Sequence, residues 1–172
     1  SYPLPPELRN RIARGKLLLR EGIHSYQEGE YIKANKKITD SEYLLTASWE
    51  NARSNLENYF TQYPSWKKIT EKAVSESRQN NNYTIIIDKF SRKCLVYYSG
   101  VKKYEFDAEL GSNWVGNKRH RGDNATPEGV YKVTRKFSGA KTKYYKALLI
   151  DYPNEKDKQR FRTEKANGSL PS

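Results

Sequence analysis

A chain of 172 residues with Lys+Arg 32 against Asp+Glu 20, a net charge of +12 and a pI of about 9.6 has room for one or two domains and suits anionic partners. Only 35% of the residues are hydrophobic but 13% are aromatic, with 14 tyrosines, so amphipathic rings must build much of a modest core. No apolar run approaches the roughly 20 residues that span a bilayer, and a single cysteine, Cys94, excludes an internal disulfide framework.

The N-terminus, Ser1-Tyr2-Pro3-Leu4-Pro5-Pro6, has neither an initiator methionine nor a charged region leading into an apolar one, so a signal or membrane anchor is expected outside this chain. The first half then reads as helix. Ile12, Leu19, Ile23 and Tyr26 recur at helical spacing until Gly29 interrupts, and from Tyr31 the positions Ala34, Ile38, Leu45, Ala52, Leu56 and Tyr59 continue the stripe. Asp40-Ser41 is a local cap or break within it. Tyr63-Pro64 ends the run, because proline disfavours helix in the residue before it, and Ser65 is placed to cap a short helix bearing Trp66, Ile69 and Ala73. The polar run Ser75–Asn82 (SESRQNNN) marks the boundary between a helical domain, 1–80, and a second domain, 83–172.

Beyond that boundary the period changes. Ile85 and Ile87, Leu95 and Tyr97, and Tyr104, Phe106 and Ala108 alternate as strand residues do, with Ser99-Gly100 as a hairpin turn. A basic loop follows Gly111, then Gly122-Asp123-Asn124, then Thr126-Pro127-Glu128-Gly129 leading into the alternating Val130, Tyr131, Lys132 and Val133. Pro127 fixes its own φ and pushes Thr126 towards extended geometry, while Gly129 supplies a conformation that other residues resist. After Tyr152-Pro153, Asn154 is an N-cap with Glu155 and Asp157 in the first turn, and Gly168 stops the helix. Helices in front and strands behind make the fold class α+β.

Candidate chemistry is sparse. Cys94 has Arg92 and Lys93 as neighbours, which lower a thiol pKa, but it lies inside a strand with no histidine nearby in sequence. His120 reads as a solvated loop residue and His24 as a plain helix residue, and no spaced His/Cys/carboxylate set predicts a metal. Gly111, Gly116 and Gly122 fit neither dinucleotide- nor P-loop spacing.

The string GSNWVGNKRHRGDNATPEGVYKV, from Gly111 to Val133, resembles the signature in the first half of the L,D-transpeptidase (YkuD-type) catalytic domain. Thr84–Lys89 with Cys94–Tyr98 is similar to that family's opening hairpin, Tyr104–Gly111 to its next strand, and Tyr144–Asn154 to its "YYrALlldYPn" segment. The resemblance covers Tyr83 to Ser172, about half of the chain, with the motifs in the family's order. It implies an extracytoplasmic, cofactor-free enzyme of cell-wall cross-linking or remodelling, in which a histidine-activated cysteine attacks the stem peptides of peptidoglycan. The family's H-G…S-x-G-C motif does not occur here; the catalytic histidine and cysteine are expected beyond Ser172, the β-rich domain reads as truncated, and the 172-residue chain alone is expected to be inactive. What carries over is the framework: Gly111 closing the third strand, and Gly122, Thr126, Pro127, Glu128 and Gly129 shaping the turn, with Lys118 and Arg121 as candidates to meet an acidic substrate. Two other classes fit the composition, a non-catalytic wall-binding or scaffold module and a basic nucleic-acid-binding protein. The second has cations interleaved with aromatics between Lys118 and Tyr145 but no recognised nucleic-acid module, so nucleic acid is not the expected partner.

Overall fold

The computed structural model describes residues 2–170 and has an α+β fold: three helices, a three-stranded sheet, a long irregular connection, a two-stranded sheet and a last helix. The chain forms two compact units, Ser1–Ala108 and Glu109–Ser172. The change from helix to strand falls within the SESRQNNN run, whereas the units separate after Ala108, which groups the first sheet with the helices.

In the first unit, α1 (Pro6–Gln27) and α2 (Tyr31–Phe60) make an antiparallel hairpin turned at Gly29, whose φ of 78° favours glycine. The buried seam is not the apolar stripe that hydropathy picks out. Leu8, Gly15 and Gly22 of α1 are buried together with Ala34, Ser41 and Ser48 of α2, each set recurring every seventh residue. A seven-residue repeat keeps one line of side chains facing the partner helix, and small residues on that line let the backbones approach closely. A Cβ on Gly22 would lie 2.7 Å from Ile38 Cγ1, and one on Gly15 would lie 2.9 Å from Leu45 Cδ2. The Ser41 hydroxyl donates to the Gly15 carbonyl oxygen at 2.7 Å, a buried bond between the helices. Leu19, Ile23 and Tyr26 are consequently exposed, flanking the seam rather than filling it. The expected cap or break at Asp40-Ser41 is absent because Ser41 spends its hydroxyl on the other helix and α2 runs through.

Helix α3 (Tyr63–Gln79) starts earlier than expected. Pro64 sits in its first turn, where a missing N–H costs nothing, and the N-cap position is Gln62 rather than Ser65. Its C-terminal part buttresses an antiparallel meander of β1 (Tyr83–Asp88), β2 (Lys93–Tyr98) and β3 (Val101–Asp107). Ser77, fully buried, donates to Asn82 O at 2.6 Å and accepts from Gly100 N at 3.3 Å, so one hydroxyl ties the helix to the entry of β1 and to the β2–β3 turn. Ser99 and Gly100 both have positive φ, 50° and 75°, the tight hairpin geometry expected of this pair. Thr84 and Ile86 are half-buried, whereas Ile85, Ile87, Tyr104 and Phe106 leave much of their surface exposed.

The second unit pairs β4 (Val133–Ser138) with β5 (Lys146–Ile150), antiparallel, and ends in α4 (Glu155–Ala166). Two expected strands are shorter than their alternation suggests. The Tyr104–Gly111 strand stops at Asp107, and the strand read from Val130 begins at Val133. Backbone groups of the missing parts are taken by side chains instead of a ladder: Gly111 N donates to Thr126 Oγ1, Lys132 N donates to Asp151 Oδ1 at 2.7 Å, and Val130 O accepts from Asn154 Nδ2 at 3.2 Å. Helix α4 begins as its sequence predicts. Asn154 accepts from Lys156 N and Asp157 N, and Asp157 Oδ2 accepts from Asn154 N, a complete capping box. No helix among the described residues is long and apolar enough to cross a membrane.

The small-residue seam yields a direct expectation. Gly22→Leu should destabilise the helical hairpin by about 1–3 kcal/mol through overpacking, and Ser41→Ala by about 1 kcal/mol through its lost hydrogen bond. Urea denaturation followed by helical circular dichroism measures both; wild-type midpoints for the two variants would contradict the seam.

Candidate functional site

The connection from Glu109 to Lys132 has little regular structure, so it must satisfy its polar backbone through side chains. Asp123 does most of this. Its Oδ1 accepts from Lys118 Nζ at 2.7 Å and from Ala125 N at 3.0 Å, and its Oδ2 accepts from Arg119 N at 2.6 Å and His120 N at 3.1 Å. Burial by itself would raise the Asp123 pKa, but the Lys118 ammonium and the three backbone N–H groups outweigh it and hold the carboxyl far below the usual range. One side chain thus folds the basic loop back on itself. Gly122, with φ of 90°, provides the turn that lets its neighbour do so.

The rest of the signature turn is clasped in the same manner. Gly111 donates to the Thr126 hydroxyl at 2.9 Å, Asn113 N donates to Asn124 O at 2.9 Å, and Asn113 bridges Ala125 in parallel. A Cβ on Gly111 would lie 2.1 Å from Asn124 O, so no other residue fits there without moving the backbone. Asn117 uses its amide twice, accepting from Glu128 N at 2.8 Å and donating to Glu128 O at 2.9 Å. Pro127 is half-buried between these clasps, and Gly129 takes φ of 154°, with the Tyr131 hydroxyl 3.1 Å from where a Cβ would stand. Gly111 therefore does not close a strand, as the sequence suggests; it seals the two ends of the loop together.

Helix α4 completes the arrangement. Asp157, 6% exposed, receives Arg160 Nη2 at 2.9 Å and lies 3.2 Å from the Tyr131 hydroxyl. Burial, then the neighbouring Asp157 charge, pushes the Tyr131 phenol well above its ordinary value, so it stays protonated. Arg160 also donates to Lys118 O at 3.2 Å, and Arg119 Nε pairs with Glu164 at 2.9 Å. The loop, Tyr152-Pro153 and α4 line an open pocket of about 560 Å³, and both Lys118 and Arg121 belong to its lining. They differ in availability. Lys118 is committed to Asp123, while Arg121 is exposed and has no salt-bridge partner among the described residues.

Cys94 lies on β2, half-exposed, and burial pushes its thiol pKa up; Arg92 and Lys93 do not lower it. Lys93 points its charge at Asp107 and Glu105 instead. His120 is exposed, with Nδ1 2.9 Å from the carbonyl oxygen of Arg121, and His24 sits exposed on α1. No group of His, Cys, Asp or Glu among the described residues could hold a metal ion. The residues that sequence reasoning passed over are Asp123, Asn117, Asp157 and Arg160. The Gly-Asp-Asn order was a local hint for Asp123, whereas the Asp157–Arg160 link to the loop spans residues too far apart for any local signal. No protein-family model matches the chain, and no curated protein or solved structure does either.

Because folding depresses the Asp123 pKa, its stabilising contribution is complete above the unfolded value of about 3.9 and is lost as pH falls from there towards the folded pKa. Asp123→Asn should cost about 2 kcal/mol at neutral pH and flatten the acid limb of the stability profile. Thermal melts between neutral and strongly acidic pH check this; parallel profiles for wild type and variant would contradict it.

Proposed function

We propose that this chain is the framework part of a peptidoglycan L,D-transpeptidase-like protein, acting outside the cytoplasm on the stem peptides of the bacterial wall. The observation that carries this reading is the Gly111–Val133 string in its order between an opening hairpin and the Tyr144–Asn154 segment. Its geometry supports the reading, because several signature positions hold the bend together. Gly111 permits contact with the Asn124 carbonyl, Thr126 accepts from Gly111, and Glu128 is gripped through its backbone by Asn117. A bend clasped at three points is a rigid platform, and rigid positioning is what acyl transfer demands of the residues around it.

The reaction implied by the resemblance is covalent catalysis. A cysteine thiolate adds to the carbonyl of the L,D peptide bond, the tetrahedral oxyanion collapses, and the terminal D-residue leaves as its amine with a proton supplied by histidine. The resulting thioester is resolved by an amine of a second stem, or by water. Backbone N–H groups stabilise the oxyanion. Cys94 does not serve as that nucleophile in this reading, since its thiol is raised rather than lowered and no histidine contact accompanies it. The contribution of the present residues is docking: Arg121, which lines the loop pocket and has no salt-bridge partner among the described residues, meets a stem carboxylate, and Lys118, paired with Asp123, is a neutralised strut of the same lining.

The test uses purified sacculi and mass spectrometry. The chain should be retained on intact sacculi, lose most of that retention after an amidase strips the stems, and gain no mass on incubation with a carbapenem. Equal retention on stripped glycan, or an acyl adduct on Cys94, would overturn the proposal. Gly111→Ala should abolish retention, because its Cβ would collide with the Asn124 carbonyl and open the bend; undiminished retention in that variant would show that the bend is not the docking platform.

A further inference from the structure

The pocket between the basic loop and α4 has more cations than its own acids neutralise, and the surplus is distributed unevenly. Three positive side chains are already engaged: Lys118 by Asp123, Arg119 by Glu164 and Arg160 by Asp157. These pairs are within or just behind the wall, and they fix it. Lys158 pairs only with exposed Glu155, a contact worth little in water. Arg121 and Arg162 line the same space and have no salt-bridge partner among the described residues. Arg162 Nη1 makes only a long hydrogen bond, 3.5 Å, to Gln159 Oε1. Two guanidinium groups without a salt bridge in one pocket exceed what one carboxylate can neutralise, whereas a phosphate monoester carries nearly two negative charges and three terminal oxygens. Each guanidinium presents a planar fork of donors suited to two of those oxygens.

The pocket is also not merely polar. Tyr152, Pro153 and Phe161 contribute to its lining, and Phe161 leaves 45% of its surface exposed to it and to solvent. The Tyr152 ring is held edge-on against Tyr131 with centroids 5.8 Å apart, so that face is prearranged rather than collapsed. A volume of about 560 Å³ is far more than an inorganic anion fills and lies in the range of small-molecule sites.

We propose that this pocket binds a small ring-bearing phosphate, with the phosphate between Arg121 and Arg162 and the ring against Tyr152, Pro153 and Phe161. The inference shares Arg121 with the cell-wall reading but rests on the pocket's own lining: loss of sacculus binding would leave the phosphate site standing, and loss of phosphate binding would leave the signature string and its bend as the support of the cell-wall reading. Calorimetric titrations with phenyl phosphate, inorganic phosphate and benzoate, at about 0.1 M ionic strength to screen non-specific attraction, test it. Phenyl phosphate should bind more tightly than either of the others, by about fivefold or more. Arg121→Gln/Arg162→Gln should weaken both phosphates by about tenfold or more, while Arg135→Gln/Lys136→Gln, which removes equal charge from β4, should change neither. Phe161→Ala should remove the preference for phenyl phosphate and leave inorganic phosphate unchanged. Circular dichroism establishes that each variant is folded. Benzoate binding as well as phenyl phosphate, equal losses in the two double variants, or wild-type binding by Arg121→Gln/Arg162→Gln would overturn the proposal.

Discussion

A single carboxylate holds the second unit's long connection in shape. Asp123 gathers four donors from Lys118, Arg119, His120 and Ala125, in a loop that has no strand or helix of its own to satisfy them. The arrangement is economical because the loop is rich in positive charge, and pairing Asp123 with Lys118 cancels part of the repulsion while satisfying backbone N–H groups that would otherwise be orphaned. The attachment of the last helix depends on it in turn. With Arg119 N and His120 N fixed, the Arg119 side chain reaches Glu164 and the Lys118 carbonyl meets Arg160, which is how α4 is fastened to the loop and a pocket comes to exist.

The first unit obeys a different constraint, the closeness of two backbones. Glycine, alanine and serine at seven-residue intervals bring α1 and α2 together, and the larger apolar residues fall to the sides of the seam. Where hydropathy guides the reading, such a seam is invisible: glycine and serine carry no hydrophobic signal, so Ile12, Leu19, Ile23 and Tyr26 attract attention although the last three are exposed. The spacing Leu8-Gly15-Gly22 was present in the chain all the same, and a search for small residues at that period would have found it.

Elsewhere the sequence is legible to the degree that the determinants are local. The Gly29 break, the Ser99-Gly100 hairpin and the Asn154 capping box depend on residues a few positions apart, and all three are in place. Strand ends were less legible, because the Gly111 and Lys132 N–H groups donate to the side chains of Thr126 and Asp151 rather than to a ladder, and nothing within a short window announces such partners. The candidate site divides along the same line. Lys118 and Arg121 were readable as a basic loop, but only the position of Asp123 reveals that Lys118 is neutralised while Arg121 has no salt-bridge partner among the described residues. The functional reading inherits this division: the proposed cell-wall framework rests on the signature string, and the proposed anion binding rests on the pocket that Asp123 and α4 shape.

The central claim is that Asp123 builds the loop, and amide hydrogen exchange in Asp123→Ala addresses it residue by residue. The amides of Arg119, His120 and Ala125 should lose their protection while those of α1 and α2 keep theirs. Unchanged protection at the three loop amides would mean that the loop is held by something other than the Asp123 carboxylate.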